Sequence, residues 1–252
     1  MFLTILFLCT SAFVAGFIDS IAGGGGLISL PALLAAGIPP HIALGTNKFQ
    51  SMFGTSGAVI NYAKKSKIVW KAALVGIPFA LIGSWIGARM TLIIPPNTLA
   101  KILIFMLPPA VILMVASNSL MNKKVSTGPC KTNTYLIVSL VCFFVGAYDG
   151  FFGPGTGTFL IVLMVLFCKI PLINASATAK VFNLASNIGA VVIFMVSGHI
   201  YYALGIAMAV SNIAGNLTGS SMAIKRGNTF VQKFVYIAIG ILFIYLVWTQ
   251  YS

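Results

Sequence analysis

Acidic residues are almost absent from this chain of 252 residues: Asp19 and Asp149 are its whole acidic complement, and it has no glutamate. Histidine is scarce too, since His41 and His199 are the two copies and stand far apart in sequence. Catalytic triads, metal centres and phosphate-binding loops each need a cluster of defined residues, and the sequence contains none. We therefore expect no enzyme activity, no catalytic residue, no metal and no cofactor.

Charge of either sign is rare, because charged residues make up 7% of the chain and hydrophobic residues 59%. The mean hydropathy of +1.04 excludes a soluble domain and predicts an all-α polytopic membrane protein surrounded by lipid. The net charge of +13 does not indicate a nucleic-acid partner. Most Lys and Arg lie in short loops between apolar segments, where cytoplasmic loops carry them, and no basic patch with interleaved aromatic residues is present.

Paired thiols are missing as well, since the four cysteines form no CxxC pair and three of them lie in apolar runs. We expect them to be small buried hydrophobic residues. The first 18 residues are apolar but lack the basic start and the cleavage site of a signal peptide, so we expect a retained membrane segment.

The two aspartates lie in copies of one glycine-rich motif. The first copy spans residues 16–26, the second spans 146–157, and their aspartates are 130 positions apart. Strongly apolar segments flank both copies, so we expect each carboxylate to lie in or near the membrane. A charge there costs roughly 2.5–3.5 kcal/mol on insertion scales, which makes each aspartate a functional hypothesis.

Apolar runs bounded by Gly, Pro and charged residues predict ten segments. Their approximate bounds are 1–18, 27–37, 42–62, 68–90, 98–117, 132–151, 156–168, 173–197, 201–222 and 229–250. The second and the seventh are too short to cross a bilayer as helices, and each follows a glycine-rich break. They predict two re-entrant or half-length hairpins, and the sequence leaves open whether these segments span or re-enter.

The motif belongs to a longer internal repeat. At an offset of 132, Lys48 matches Lys180 and the pair Gly83 and Gly87 matches Gly215 and Gly219. Five segments occurring twice therefore predict three parts: a first transmembrane repeat at 1–117, a cytoplasmic linker at 118–131 and a second transmembrane repeat at 132–252. The Gly-x-x-x-Gly pairs predict close helix packing, either within the chain or between protomers of a homo-oligomer.

The basic residues orient the chain in the membrane. Eleven Lys and Arg fall on one side of the predicted segments, and Arg89 and Lys101 fall on the other. The first side is then cytoplasmic, and both termini lie outside the cytoplasm. Because five segments is an odd number, the second repeat enters from the opposite side, an inverted topology typical of secondary transporters. Aromatic residues at segment ends, such as Tyr62 and Trp70, predict belts at the membrane interface.

Both glycine-rich breaks are candidate anion sites, because a helix start presents free N–H groups at the positive end of its dipole. The candidate residues are Gly24, Gly25, Gly26, Gly155, Thr156 and Gly157. Alternatively, the glycines serve only a tight turn and close packing.

Two polar helix faces accompany these breaks. Lys48, Ser51 and Thr55 share one face, and their repeat equivalents are Lys180, Asn183 and Asn187. Such faces in membrane helices usually point into a bundle or cavity, so we expect substrate contacts there. Alternatively, the lysines snorkel to the interface and the other side chains join helices through hydrogen bonds.

Three roles stay open for Asp19 and Asp149. The carboxylates can pair with the two lysines, because a paired charge is far cheaper to bury than a lone one. They can instead protonate and release protons during transport, or accept hydrogen bonds at the starts of the hairpin helices.

These motifs together resemble the TauE/SafE family of membrane transporters, and the second half resembles its YfcA-type branch. The resemblance is carried by residues 13–27, 31–38 and 43–48, and by 148–157 and 179–189. The family is described as exporters of sulfite or organosulfonates, and the substrates of many members are undefined. The resemblance implies a multi-pass transporter of small anions in the bacterial inner membrane.

We therefore expect a secondary transporter that exports a small anion such as sulfite or an organosulfonate, with proton coupling as a secondary hypothesis. The two lysines would supply countercharge at the midplane, and the hydroxyls and amides would donate hydrogen bonds. The alternatives are an importer, a cation transporter of the same fold, or a membrane subunit that scaffolds a partner without transport.

Overall fold

In the computed structural model of the protein, the described residues are 2–103, 105–106 and 132–251, with the backbone alone at 132–134 and 227–251. These residues are all-helical, as predicted, and contain no strand. The helices are α1 (Phe2–Ala22), α2 (Gly26–Ala35), α3 (Pro40–Lys64), α4 (Trp70–Ile93), α5 (96–103), α6 (Thr132–Phe151), α7 (Thr156–Cys168), α8 (Leu172–Val196) and α9 (Tyr202–Tyr251).

Three helices, α1, α4 and α8, are long and apolar enough to cross a membrane. The two predicted short segments are present as helices of 10 residues in α2 and 13 residues in α7. At a rise of about 1.5 Å per residue they measure roughly 15 and 20 Å, less than the hydrocarbon core of about 30 Å. The prediction of two half-length helices is therefore confirmed.

The glycine-rich breaks before α2 and α7 pack directly against each other. Gly23 and Gly153 have φ of +83° and +94°, a left-handed conformation that glycine adopts without strain. A Cβ atom at Gly23 would lie 2.2 Å from the carbonyl carbon of Gly157, so the two backbones touch where no side chain fits. Glycine is required here by both conformation and space.

The second half of the chain departs from the predicted segments at one boundary. The chain was expected to break at 223–228 between a ninth and a tenth segment, but α9 continues through it as one helix of 50 residues. Lys and Arg favour helix and an interior glycine costs only about 1 kcal/mol, so Lys225, Arg226 and Gly227 do not end it. The described second half thus has four helices instead of five. Most of the segment at 98–117, and the linker at 118–131, lie outside the described residues.

The long helices pack in two equivalent pairs, α1 against α9 and α4 against α6. Gly83 and Gly87 face carbonyl groups of α6, and Gly215 and Gly219 face those of α1. A Cβ at Gly87 would lie 2.0 Å from the carbonyl oxygen of Ala147. Both Gly-x-x-x-Gly pairs therefore join helices within the chain.

Helices α3 and α8 contact each other, and each also packs on one of these pairs. They correspond at the offset of 132: each has 25 residues and follows a proline, Pro39 or Pro171. Proline has no N–H group and its ring clashes with the preceding turn, so a helix does not extend past it toward the N-terminus. Both helices therefore start at a fixed point. This places Lys48 and Lys180 at equivalent positions in two helices that contact each other.

Candidate functional site

Both lysines are buried and ion-paired. Lys48 Nζ lies 2.7 Å from Asp149 Oδ1, and Lys180 Nζ lies 2.8 Å from Asp19 Oδ2. Lys48 is 2% exposed and Lys180 is 0% exposed, so neither side chain reaches toward an interface. Both aspartates thus make the contacts that the ion-pair role requires, and the snorkelling alternative is wrong because each lysine is buried with an acidic partner inside the protein.

The two ion pairs cross between the halves of the chain. Asp19 of α1 pairs with Lys180 of α8, and Asp149 of α6 pairs with Lys48 of α3. Each half therefore supplies the partner for the charge that the other half buries. The repeat predicted that the two lysines are equivalent to each other and that the two aspartates are too. It did not predict which lysine would pair with which aspartate.

The surroundings of the two carboxylates differ. Asp149 also accepts a hydrogen bond of 2.5 Å from Ser186 Oγ to its second oxygen. Asp19 accepts only a long one, of 3.4 Å from the backbone N–H of Gly25. The Asp149 side chain is 2% exposed and that of Asp19 is 15% exposed. Asp19 thus makes a weak capping hydrogen bond at the start of α2.

Three hydroxyl groups hold the end of α1 beside Asp19. The carbonyl of Ser20 accepts a hydrogen bond of 2.8 Å from Tyr62 Oη, and the carbonyl of Ala22 accepts one of 2.7 Å from Thr158 Oγ1. Ser176 Oγ donates to the carbonyl between them, at 3.2 Å. These are the carbonyls that a helix end leaves without an intrahelical partner. The prediction that Tyr62 belongs to an interfacial belt is wrong, because it is buried and its hydroxyl is used here.

A small polar cavity lies between the two breaks and the two polar helix faces. Its lining residues are Asp19, Gly23, Gly26, Asn47, Lys48, Ser51, Asp149, Gly153, Gly157, Asn183 and Asn187. Its volume is about 20 Å³, and 10–15 Å³ of such space is about what one water molecule needs. In this conformation the cavity therefore has room for about one water molecule.

Most of the predicted site residues meet at this cavity, but six do not line it: Lys180, Thr55, Gly24, Gly25, Gly155 and Thr156. Lys180 reaches it only through Asp19. Thr156 Oγ1 donates to the carbonyl of Gly153, at 2.5 Å, and so stabilises the turn. Thr55 is fully buried with no hydrogen-bond partner for its hydroxyl. Asn47, one position before Lys48, also lines the cavity.

The uncharged lining groups offer mainly hydrogen-bond donors. Asn187 Nδ2 is buried without a partner. Asn47 Oδ1 already accepts from Ser29 Oγ at 2.6 Å and from Gln50 Nε2 at 3.0 Å, so its amide nitrogen is the polar atom left for a ligand. Ser51 Oγ accepts from Gln50 Nε2 at 3.3 Å and keeps its hydrogen to donate. Such a set fits a ligand that carries acceptor oxygens.

A metal site finds no support in the same region. Among residues 2–103, 105–106 and 132–226, no three His, Cys or acidic side chains are grouped so that they could hold a metal ion. The two carboxylates of the cavity are instead bound to lysines. The polar cavity is therefore a site for hydrogen bonding and ion pairing.

Comparison with known proteins places this arrangement in a family. The sequence profile of the family described as sulfite exporter TauE/SafE matches residues 8–246. Among curated proteins, the chain is 37% identical to a probable membrane transporter protein of Haemophilus influenzae, over 89% of this chain and 87% of that one. It is 34% identical to the ORF9 protein of a Sinorhizobium species, over 92% of this chain and 87% of that one.

The chain is also 33% identical to YfcA of Escherichia coli, over 92% of this chain and 85% of that one. Both ORF9 and YfcA are described as probable membrane transporters. No solved structure matches the chain. The fold, the buried ion pairs and these relatives lead to one conclusion: the chain is a membrane protein of the TauE/SafE transporter family.

Proposed function

We propose that this protein is an inner-membrane secondary transporter that exports a small anion such as sulfite or an organosulfonate. The single observation that carries the proposal is the small polar cavity between the two halves, lined by Lys48 and by amide and hydroxyl donors. Family membership supports transport. The chemistry of the cavity supports the class of substrate.

An anion fits the unused groups of the cavity better than a cation. The carboxylates of Asp19 and Asp149 are each within 3 Å of an ammonium group, so a cation would have to compete with a lysine for them. The amide nitrogen of Asn187, by contrast, has no partner. A sulfite or sulfonate group carries several acceptor oxygens and can use such donors at once.

The proposed mechanism is alternating access in an inverted repeat. The cavity holds about one water, so a larger anion enters only when the halves move apart. The equivalent helix pairs α1–α9 and α6–α4, and the central pair α3–α8, support a movement of one half against the other. Because both Gly-x-x-x-Gly pairs are used inside the chain, a homo-oligomer would need other surfaces.

The membrane orientation follows the same proposal, with both termini outside the cytoplasm and the basic loops inside. An external C-terminus requires residues 229–250 to cross the membrane again, and therefore a bend in α9. Labelling of a Ser252→Cys variant with a thiol reagent that does not cross the membrane tests this. Labelling in intact cells supports the external C-terminus, and labelling only after lysis contradicts it.

Transport itself is tested with radiolabelled sulfite and purified protein in proteoliposomes. Taurine, sulfoacetate, thiosulfate and sulfate serve as competitors, with and without a pH gradient. We expect saturable flux that at least one sulfonate inhibits. Flux driven only inward would favour an importer, and no flux under any gradient would favour a scaffold.

Two variants separate an anion from a cation. Lys48→Ala removes a lining ammonium group and should reduce sulfite flux at least tenfold, while Lys71→Ala changes an exposed lysine and serves as the control. A cation transporter would show the opposite order. Its flux would survive at Lys48→Ala and disappear at Asp149→Asn.

A further inference from the structure

The two buried ion pairs differ in how firmly each carboxylate is held. Asp149 has Lys48 at 2.7 Å and Ser186 at 2.5 Å, one on each oxygen. Asp19 has Lys180 at 2.8 Å on one oxygen, and no hydroxyl group of the described residues donates to its carboxylate. Its other contact is the long bond of 3.4 Å from a backbone N–H. Of the two carboxylates, Asp19 is therefore the one that can leave its partner.

The charges around the cavity cancel when all four groups are ionised. Two lysines and two aspartates add up to zero, so one bound monoanion leaves a net charge of −1 among these buried groups. An uncompensated buried charge is strongly unfavourable. One proton taken up with the anion restores neutrality.

The position of the Asp19 pair decides where this proton binds. Asp19 lines the cavity and Lys180 does not, so an entering anion meets the carboxylate before it meets the ammonium group. A protonated Asp19 no longer repels the anion and no longer neutralises Lys180. The anion then becomes the counter-ion of Lys180.

We propose that Asp19 carries one proton for each monoanion transported, and that the anion replaces it as the partner of Lys180. The Asp149–Lys48–Ser186 group takes no part in this proton transfer. The proton enters Asp19 from the side on which the anion enters and leaves on the other side, and no bond to the anion forms. This inference rests on the proposed anion transport.

The titratable groups around Asp19 are few. Lys180 of α8 contacts it, while Lys48 of α3 and Asp149 of α6 face it across the cavity. Tyr62 of α3 lies nearby, but its hydroxyl donates to the carbonyl of Ser20. On α2, α7 and the part of α9 whose side chains the structure describes, the titratable groups are Cys168 in a hydrophobic cluster and the exposed Tyr202, Lys225 and Arg226.

Direction of transport depends on this coupling. An anion that moves alone is driven out of a cell with a negative interior, by about 2.3 kcal/mol per charge for each 100 mV. An anion that moves with one proton is electroneutral, so the membrane potential does not drive it. Its gradient and the pH gradient then decide the direction.

Calorimetric titration of the purified full-length protein with methanesulfonate tests the proton uptake. This anion keeps a charge of −1 across the working pH range, and two buffers with different ionisation enthalpies give the number of protons bound. We expect the wild type to take up one proton per anion. At pH values where Asp19 of the unbound protein is ionised, its affinity for the anion should fall tenfold per pH unit, because binding is linked to uptake of that proton. Asp19→Asn should take up none and show a flat pH profile.

A variant beside the other pair is the matched control. Ser186→Ala removes the hydroxyl that donates to Asp149 but keeps both ion pairs and the charge balance, so it should still take up one proton per anion. Proton uptake that persists in Asp19→Asn would overturn the assignment. So would a wild type that binds the anion without any proton.

Flux measurements separate failure of this inference from failure of the proposed function. In proteoliposomes, wild-type methanesulfonate flux should not respond to a potassium diffusion potential, whereas Asp19→Asn flux should respond. A wild type that moves one negative charge per anion overturns the coupling but leaves anion transport standing. A wild type with neither binding nor flux of sulfite or methanesulfonate overturns both.

Discussion

The same motif is fixed in two different ways in the two halves of the chain. Asp149 is held through its carboxylate, by Lys48 and by Ser186. Asp19 is held through the helix that carries it, because three hydroxyl groups bind the carbonyls at the end of α1. The first arrangement fixes the charge itself, and the second fixes the backbone and leaves the charge freer. Two copies of a repeat can thus keep the same charged residues while their carboxylates differ in how firmly they are held.

The largest expected effect comes from breaking the firmly held pair. Lys48→Ala leaves Asp149 buried without its counter-ion and should lower the free energy of unfolding by about 3–5 kcal/mol. Lys180→Ala should cost less, because Asp19 is partly exposed. Unfolding in mixed micelles with increasing SDS measures both variants. Equal losses would contradict the difference between the halves, and the double variant Lys48→Ala, Asp149→Ala should recover part of the loss.

The contact between the two glycine-rich breaks should come next. Gly23→Ala forces a left-handed conformation, on the order of 1–3 kcal/mol, and also a clash with the backbone of Gly157. Gly37→Ala is the matched control, since Gly37 has φ of +79° but no atom within 4 Å of an added Cβ. We expect thermal unfolding to show a distinctly lower Tm for Gly23→Ala than for Gly37→Ala. Similar Tm values would mean that the breaks do not press against each other.

A smaller effect should follow from loosening the end of α1. Tyr62→Phe removes one hydrogen bond to a buried carbonyl and leaves that acceptor unsatisfied, which should cost about 1–3 kcal/mol. Tyr201→Phe, at an exposed tyrosine, is the control and should change little. Hydrogen exchange at the last turn of α1 should rise in Tyr62→Phe alone. An unchanged exchange rate would show that the hydroxyl does not hold this end.

The smallest effect concerns a contact between the halves away from the cavity. His199, in the loop before α9, lies beside His41 of α3, with ring centroids 5.4 Å apart. Burial, and then the neighbouring His41, lower the pKa of His199 below its ordinary value of 6.5. The neutral form is thus favoured in the folded state, so its contribution to stability is complete above that value and is lost as the pH falls through the lowered pKa.

Thermal unfolding between pH 7.5 and pH 5 checks this expectation. The Tm of the wild type should fall slightly on acidification, and part of that fall should be missing in His199→Gln. A His199→Gln profile that matches the wild type would mean that this histidine does not contribute.

Much of the site could be predicted from the repeat. The spacing of Lys48, Ser51 and Thr55 is helical, and its recurrence in α8 indicated two equivalent polar faces. The lengths of α2 and α7 followed from apolar runs that start at glycine-rich breaks. Such signals are local, because helix periodicity and turn-forming residues act over a few positions.

Long-range partners could not be predicted in the same way. Periodicity shows which face a lysine occupies but not which of two equivalent aspartates it meets, so the crossed pairing was open. Tyr62 at a segment end is typical of an interfacial residue, and only the approach of α1 reveals its bond to Ser20. The continuation of α9 was missed because the charges at 225–226 suggested a loop, although such residues favour helix.

The crossed pairing also sets an order of events during synthesis. Lys48 is made 101 residues before Asp149, and Asp19 is made 161 residues before Lys180. At about 5–20 residues per second, the first half waits on the order of 5–30 s for its partners. Until then it has one acidic and one basic side chain without their final counter-ions. Asp19 is the only acidic residue of the first half, so Lys48 has no other counter-ion within reach of the chain until the second half emerges.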